Sequence, residues 1–229
     1  MSTVFTETFD GAGTQLSTSN TGFSYVRGAP ARSTDTIHGT GSMYCTGTAG
    51  PHGQHYLAAG TIGTLYQRFY VKLGVAATGT FYLSQVLAKA TPAATLSVQS
   101  DSGLRMRVGT STTIGVASTP LKLSNTEWTR VEWMVTPTTM QLRMFQGANV
   151  DGATPNYDSG AVTWDGTTFN RCGVGNMVSF EASLYVDDYK VDNSAWVGSD
   201  YPQEPPTPVV HSRFRFNGTA WAPVEAVRL

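Results

Sequence analysis

The sequence is poor in cysteine, in charge and in long apolar runs. Its 229 residues hold only two cysteines, Cys45 and Cys172. So few cannot form a disulfide framework, and both thiols are expected to be free and buried. Charged residues make up 14%, against about 25% in an average soluble domain. The net charge of −1 gives no electrostatic footprint for nucleic acid or for an anionic membrane. No apolar run reaches the roughly 18 residues needed to cross a bilayer. The opening Met-Ser-Thr-Val-Phe-Thr-Glu-Thr-Phe-Asp lacks the basic start and apolar core of a secretory leader, so synthesis in a cytoplasm is expected.

What the sequence does have is a two-residue rhythm. In Leu65–Leu73, Leu65, Phe69, Val71 and Leu73 alternate with Tyr66, Arg68, Tyr70 and Lys72. Leu104, Met106 and Val108 oppose Arg105 and Arg107, Val131, Trp133 and Val135 oppose Arg130, Glu132 and Met134, and Met140, Leu142 and Met144 oppose Gln141 and Arg143. Strands with one buried and one wet face give this pattern, and the alternating arginines read as solvated. Ser84–Ala90 has the spacing of two helical turns, but Phe81–Lys89 also reads as a strand. Turn formers such as Gly39-Thr40-Gly41, Gly50-Pro51, Ser102-Gly103, Asp151-Gly152 and Asp165-Gly166 separate the runs. About a dozen short strands punctuated this way predict an all-β fold of two packed antiparallel sheets.

The expected organisation is a sandwich over residues 1–198, a proline-rich linker over 199–210 and a C-terminal arm over 211–229. The linker sequence, with four prolines between 202 and 208, favours extended backbone. Asn217-Gly218 in the arm is a strong hairpin-turn signal. A lone hairpin is marginal in water. Phe214, Phe216 and Trp221 therefore need a surface to bury against, either the parent domain or a neighbouring subunit.

Four segments resemble the concanavalin A-like, laminin-G-like jelly roll. These are Phe5-Thr6-Glu7-Thr8-Phe9-Asp10-Gly11, Trp128-Thr129-Arg130-Val131-Glu132, Leu142-Arg143-Met144-Phe145-Gln146-Gly147 and Leu184-Tyr185-Val186-Asp187-Asp188-Tyr189-Lys190-Val191. Their order resembles that family's first strand, its tryptophan–basic–aliphatic strand, the strand after it and its last strand. The ending, Phe216-Asn217-Gly218-Thr219-Ala220-Trp221-Ala222-Pro223, resembles that of virion proteins of phages infecting actinobacteria, of minor tail or head decoration type. This second resemblance implies a non-enzymatic virion structural protein that docks by its sandwich and arm. Its expected partners are other virion proteins and further copies of itself. The alternative is a lectin-like carbohydrate-binding module, such as a host-surface adhesin that binds host-surface glycan.

Glucanases of the jelly-roll type carry Glu-x-Asp-x-x-Glu, whose first two acids share one strand face. No such string occurs here; Glu127 and Glu132, and Glu7 and Asp10, have odd separations. No Gly-x-Ser-x-Gly elbow or phosphate loop is present, so no enzyme is expected. His52-Gly53-Gln54-His55 reads as exposed turn histidines. The jelly-roll resemblance implies a calcium site where the first and last strands meet, at Asp10, Asp187 and Asp188. The same acids also read as an Asp-Gly turn and a β-bulge, because the inward phase shifts between Val186 and Tyr189. For glycan, Tyr66 and Tyr70 would form an outward strip with Arg68 between them, and Trp164 is a further candidate. Tyr25, Tyr44, Tyr56, Tyr157 and Trp196 supply additional rings.

Overall fold

The computed structural model describes residues 3–11, 13–57, 63–166, 168–178, 182–201, 214–216 and 221–223, with backbone alone at 3–4 and in the last two segments. The strands begin with β1 (Thr3–Glu7), β2 (Tyr25–Arg27), β3 (Ala31–Ser33), β4 (Ser42–Gly47), β5 (His52–Tyr56) and β6 (Leu65–Leu73). They continue with β7 (Phe81–Ala88), β8 (Thr91–Val98), β9 (Leu104–Val108), β10 (Thr112–Ile114), β11 (Thr129–Val135) and β12 (Thr139–Gln146). The last six are β13 (Tyr157–Asp158), β14 (Val162–Thr163), β15 (Arg171–Gly175), β16 (Ala182–Asp192), β17 (Phe214–Phe216) and β18 (Trp221–Pro223). Among the described residues no helix is long and apolar enough to cross a membrane.

The expected all-β sandwich is the fold. Sheet A runs β13-β12-β11-β6-β16-β4-β3, with β14 also on β12 and β1 also on β16. Sheet B runs β10-β9-β8-β7-β15-β5-β2. Every described pairing is antiparallel. The inward phase of each strand is the one its rhythm predicts. Leu65, Phe69, Val71 and Leu73 face Leu83, Val86, Leu96 and Leu104 in one core, together with Trp133, Leu142 and Met144. The segment with two readings is strand β7. A polar bridge crosses the core, with Ser84 Oγ (3.1 Å) and Tyr189 Oη (2.7 Å) both donating to Gln67 Oε1.

The bulge expected in the last strand is present. Asp187 pairs with Tyr70 and Lys190 with Arg68, so Asp188 and Tyr189 together stand opposite Phe69. Asp188 takes a positive φ of 45° to accommodate this, a conformation that aspartate tolerates better than most residues. Tyr189 and Val191 thereby return to the core.

Both cysteines are free and buried, Cys45 on β4 of sheet A and Cys172 on β15 of sheet B. Burial pushes each thiol up to about 12, and only the thiolate reacts readily. A thiol reagent at pH 8 is therefore expected to modify neither in the folded protein and both after denaturation. Fast labelling of the native chain would contradict this packing.

The arm contains the expected hairpin. β17 pairs with β18 as a separate two-stranded sheet, with Phe216 opposite Trp221. The side chains of Phe214, Phe216 and Trp221, most of the linker (202–210), and residues 211–213, 217–220 and 224–229 of the arm lie outside the described residues. The start of the expected linker belongs to the body instead, because residues 199–201 pack on sheet A through the contacts described next.

Candidate functional site

A sandwich has two outward faces, and here a chain segment crosses that of sheet A. On sheet A the register places Lys190, Arg68, Glu132, Arg143 and Asp158 side by side across β16, β6, β11, β12 and β13. The residues just past β16 cross this ladder. Asp200 accepts from Arg68 (3.0 Å) and Lys190 (2.9 Å). Trp196 stacks on the Arg143 guanidinium at 4.0 Å. Tyr201 lies flat on His38, with centroids 3.6 Å apart. Ser199 donates to Asp151, which also receives the Tyr70 hydroxyl. Beneath this cover Arg68 is 1% exposed and Tyr70 0%. Arg130 and Glu132 are also buried; their charged groups lie 3.1 Å apart without the alignment of a hydrogen bond. Burial raises the Glu132 carboxyl, and the guanidinium groups of Arg130, Arg143 and Arg68 pull it back down.

The acids expected to hold calcium lie at the margin of the same face, and their oxygens meet hydrogen-bond donors. Asp187 Oδ2 accepts from the Thr36 hydroxyl and from the amides of Ile37 (3.1 Å) and His38 (3.3 Å), and Oδ1 from the Asp188 amide (2.9 Å). Burial nonetheless pushes the Asp187 carboxyl up to about 7, and neighbouring Asp188 adds to the rise. Asp10 accepts from the amides of Thr40 and Gly41. Asp188 Oδ2 is buried without a partner, near the Arg68 charge. Calcium requires several inward-facing oxygens free of such donors. Among the described residues no group of three or more His, Cys, Asp or Glu is arranged to hold a metal ion. This donor-lined arrangement does not fit calcium, and Asp10 and Asp187 act here as loop anchors.

The rings selected from the sequence for glycan do not come together. Tyr66 and Tyr70 do point outward from β6. Tyr70, however, lies under the cover, and Tyr66 is packed edge-on against Trp196 at 5.3 Å. Trp164 sits away from them at a sandwich edge, only 6% exposed, with its indole N–H given to the Thr136 carbonyl at 2.7 Å. The edge of its ring helps line a shallow open depression of about 500 Å³ beside Pro92, Val108 and Ser111.

The outer face of sheet B is buried at its centre, where Gln85 is 5% exposed and Thr95 and Ser97 0%, and exposed at its ends, at Tyr25, Arg27, Tyr56 and Thr113. Its register aligns one outward residue from each strand: Tyr25 on β2, Gln54 on β5, Gly173 on β15, Gln85 on β7, Thr95 on β8, Arg107 on β9 and Thr113 on β10. Their chain neighbours Cys172, Val174, Val86, Ala94, Leu96 and Met106 are in the core, which fixes the outward direction. Gln85 Nε2 donates to Thr95 Oγ1 (3.2 Å) and Arg107 Nε to Ser97 Oγ (3.0 Å), so these side chains hold one another in place. Tyr25 and Tyr56 are 40% and 41% exposed. The Arg171 guanidinium lies 4.3 Å over the Tyr56 ring. Gly173, itself buried, makes room at the centre of the row for the Met177 methyl and the Gln54 side chain, which a Cβ would crowd.

The histidines of His52-Gly53-Gln54-His55 are strand residues rather than exposed turn residues. His52 is buried on the outward side with Nδ1 2.7 Å from the Gly50 carbonyl, and burial lowers its pKa. His55 points inward and stacks on Phe5 at 4.2 Å. The outer face of sheet B was readable in part from the sequence: Tyr25 and Tyr56 were among the available rings, and Arg105 and Arg107 were read as outward. The pairing that lines them up across seven strands joins segments far apart in the chain, and no local pattern reports it.

The sequence matches no protein-family model and no curated protein. Solved structures do share the fold. Trypanosoma rangeli sialidase in complex with sialic acid aligns with a TM-score of 0.52 and 13% identity over 83% of this chain and 30% of that one. Cellulose induced protein, Cip1, aligns with a TM-score of 0.52 and 16% identity over 74% of this chain and 87% of that one. The binding domain of botulinum neurotoxin DC in complex with SialylT aligns with a TM-score of 0.52 and 6% identity over 82% and 47%. At such identities the likeness is one of fold. The chain spans less than a third of the length of the sialidases it matches.

Proposed function

We propose that this chain is a non-catalytic carbohydrate-binding module whose ligand lies on the outer face of sheet B. The observation that carries the proposal is the pair of exposed tyrosines, Tyr25 and Tyr56, beside the half-buried Gln54 and Arg171 at one end of the outer face of sheet B. Sugars combine hydroxyls, which need both donors and acceptors, with apolar ring faces that stack on aromatic side chains. The half-buried Gln54 amide supplies the first need, and the tyrosines the second. Two of the fold neighbours were solved with sialic acid or SialylT bound, which is consistent with this use of the architecture. The non-catalytic part rests on the carboxylates. None lies on a strand of sheet B, and the buried Glu132 of sheet A is engaged by Arg130.

The test is binding of the full chain to immobilised polysaccharides, with Tyr25→Ala and Tyr56→Ala against Tyr66→Ala as control. Losing either sheet B ring is expected to weaken binding by roughly 1 kcal/mol, or about fivefold, while Tyr66→Ala leaves it unchanged. Loss through Tyr66→Ala alone would place the site on the wrong sheet.

A virion setting is the second part of the proposal, and the separate β17–β18 hairpin favours it. A two-stranded element gains stability by docking on another surface, as an arm reaching a neighbouring virion protein or another copy of this chain would do. Particles assembled with a chain truncated after Tyr201 should then lack this protein, although the truncated chain still folds. Normal incorporation would remove this role from the arm.

A further inference from the structure

The two sheets differ in charge. On the strands of sheet A, five of six basic residues are ion-paired: Arg68 and Lys190 with Asp200, Lys72 with Asp35, Arg130 with Glu132, and Arg143 with Asp158. The strands of sheet B contain no Asp or Glu and four arginines, Arg27, Arg105, Arg107 and Arg171. All four are outward, because Arg27 and Arg171 share the phase of Tyr25 and Gly173, and Arg105 and Arg107 alternate with the buried Leu104 and Met106. Among the described residues no carboxylate pairs with any of them. Arg105 gives Nε to the Ala117 carbonyl, and Arg107 gives Nε to Ser97 and Nη1 to the Thr110 and Ser111 carbonyls. These neutral acceptors orient the guanidinium groups without cancelling their charge.

We infer that the ligand of sheet B is an anionic polysaccharide, bound through carboxylate or sulfate groups by the unpaired arginines of that face. This inference rests on the carbohydrate-binding reading above and narrows it. A set of like charges without counter-ions is matched by a polymer bearing the opposite sign at intervals, and arginine's planar fork suits both oxyanions. The length of the track favours a polymer over a single sugar, since seven strands at about 4.8 Å spacing span roughly 29 Å. The side chains between the arginines favour sugar over other polyanions. The half-buried Gln54 and the exposed Thr113 offer donors and acceptors together, as a chain of hydroxyls requires.

The experiment is calorimetric titration of the full chain with polygalacturonate, dextran sulfate, neutral dextran, a neutral β-glucan and an oligodeoxythymidine, at low and high salt. At least one acidic polysaccharide is expected to bind ten times or more tighter than both neutral ones, and to weaken as salt is raised. The carboxylate and sulfate arms identify which oxyanion is read. The double variant Arg107→Gln/Arg171→Gln should lose about tenfold or more, with its melting temperature preserved. Arg143→Gln, on sheet A, should bind as the parent does. If neutral glucan binds as tightly and the double variant retains it, the anionic inference fails while the carbohydrate reading stands. Binding to no polysaccharide removes both. Tighter binding of the oligonucleotide, or an equal loss in Arg143→Gln, overturns the inference.

Discussion

Replacing Glu132 with alanine is expected to cost about 3–5 kcal/mol of stability, the usual effect of stripping the partner from a buried charge. For a domain of this size that is a fall of roughly 10 °C in melting temperature. Glu132 stands between Arg68 and Arg143 in register and contacts Arg130 at 3.1 Å. Arg68 and Arg130 are each 1% exposed. Arginine does not shed its proton in proteins, so removing the acid leaves guanidinium charge stranded under the 193–201 segment. The reverse substitution, Arg130→Met, should cost less, because a stranded carboxyl can neutralise itself by taking up a proton.

That asymmetry has a pH signature. Burial already raises the Glu132 carboxyl in the folded state, and losing Arg130 raises it further. A raised carboxyl contributes stability that is fully present below its unfolded value and is lost as pH climbs through the folded value. Arg130→Met should therefore lie closer to the parent at pH 5 than at pH 8, and Glu132→Ala should show no such convergence. Denaturant unfolding at both pH values measures this; equal costs for the two variants, independent of pH, would mean that the pair is solvated.

The second large effect is expected at Phe23, where alanine should cost about 3–5 kcal/mol. Phe23 precedes β2, and its ring closes one end of the sandwich. It lies among Phe5 at 5.4 Å, Phe9 at 6.0 Å and Tyr189 at 5.9 Å. The space for it is made by Gly53 on β5, where any Cβ would overlap the ring. Gly53→Ala should consequently destabilise by about 1–3 kcal/mol through overpacking. In Phe23→Ala the same change becomes nearly harmless, since the obstruction has gone. A double-mutant cycle reads this coupling directly, and additive costs would show that the ring does not rest on the glycine.

The two-residue rhythm was enough to read the sandwich, the inward side of β6, β9, β11 and β12, and the bulge at Asp187–Asp188. It works because each strand has one face in a continuous apolar core, and a strand cannot slip by one residue without exposing it. The same rhythm marks Tyr66, Arg68, Tyr70, Arg130 and Glu132 as outward, and outward they are. It cannot say what lies above them. Arg68 and Tyr70 are sealed by residues about 80 to 130 positions away, Asp151 and Ser199 among them. Alternation reports direction, while burial of an outward residue depends on loops from elsewhere in the chain. For that reason the rhythm could not show that Tyr70 lies under a chain segment or that Tyr66 packs on Trp196, and Tyr25 and Tyr56 stayed undistinguished among ten tyrosines.

The route taken by residues 193–201 has a mechanical consequence. Beyond β16 the chain lies along sheet A, and Tyr201, seated on His38, is the last body residue before the proline-rich stretch. Whatever the downstream segment fastens to thus holds the body by its charged, closed back. The arginine-bearing outer face of sheet B lies on the other side of the sandwich from that attachment, so tension on the tether need not pass through the face proposed above to bind glycan.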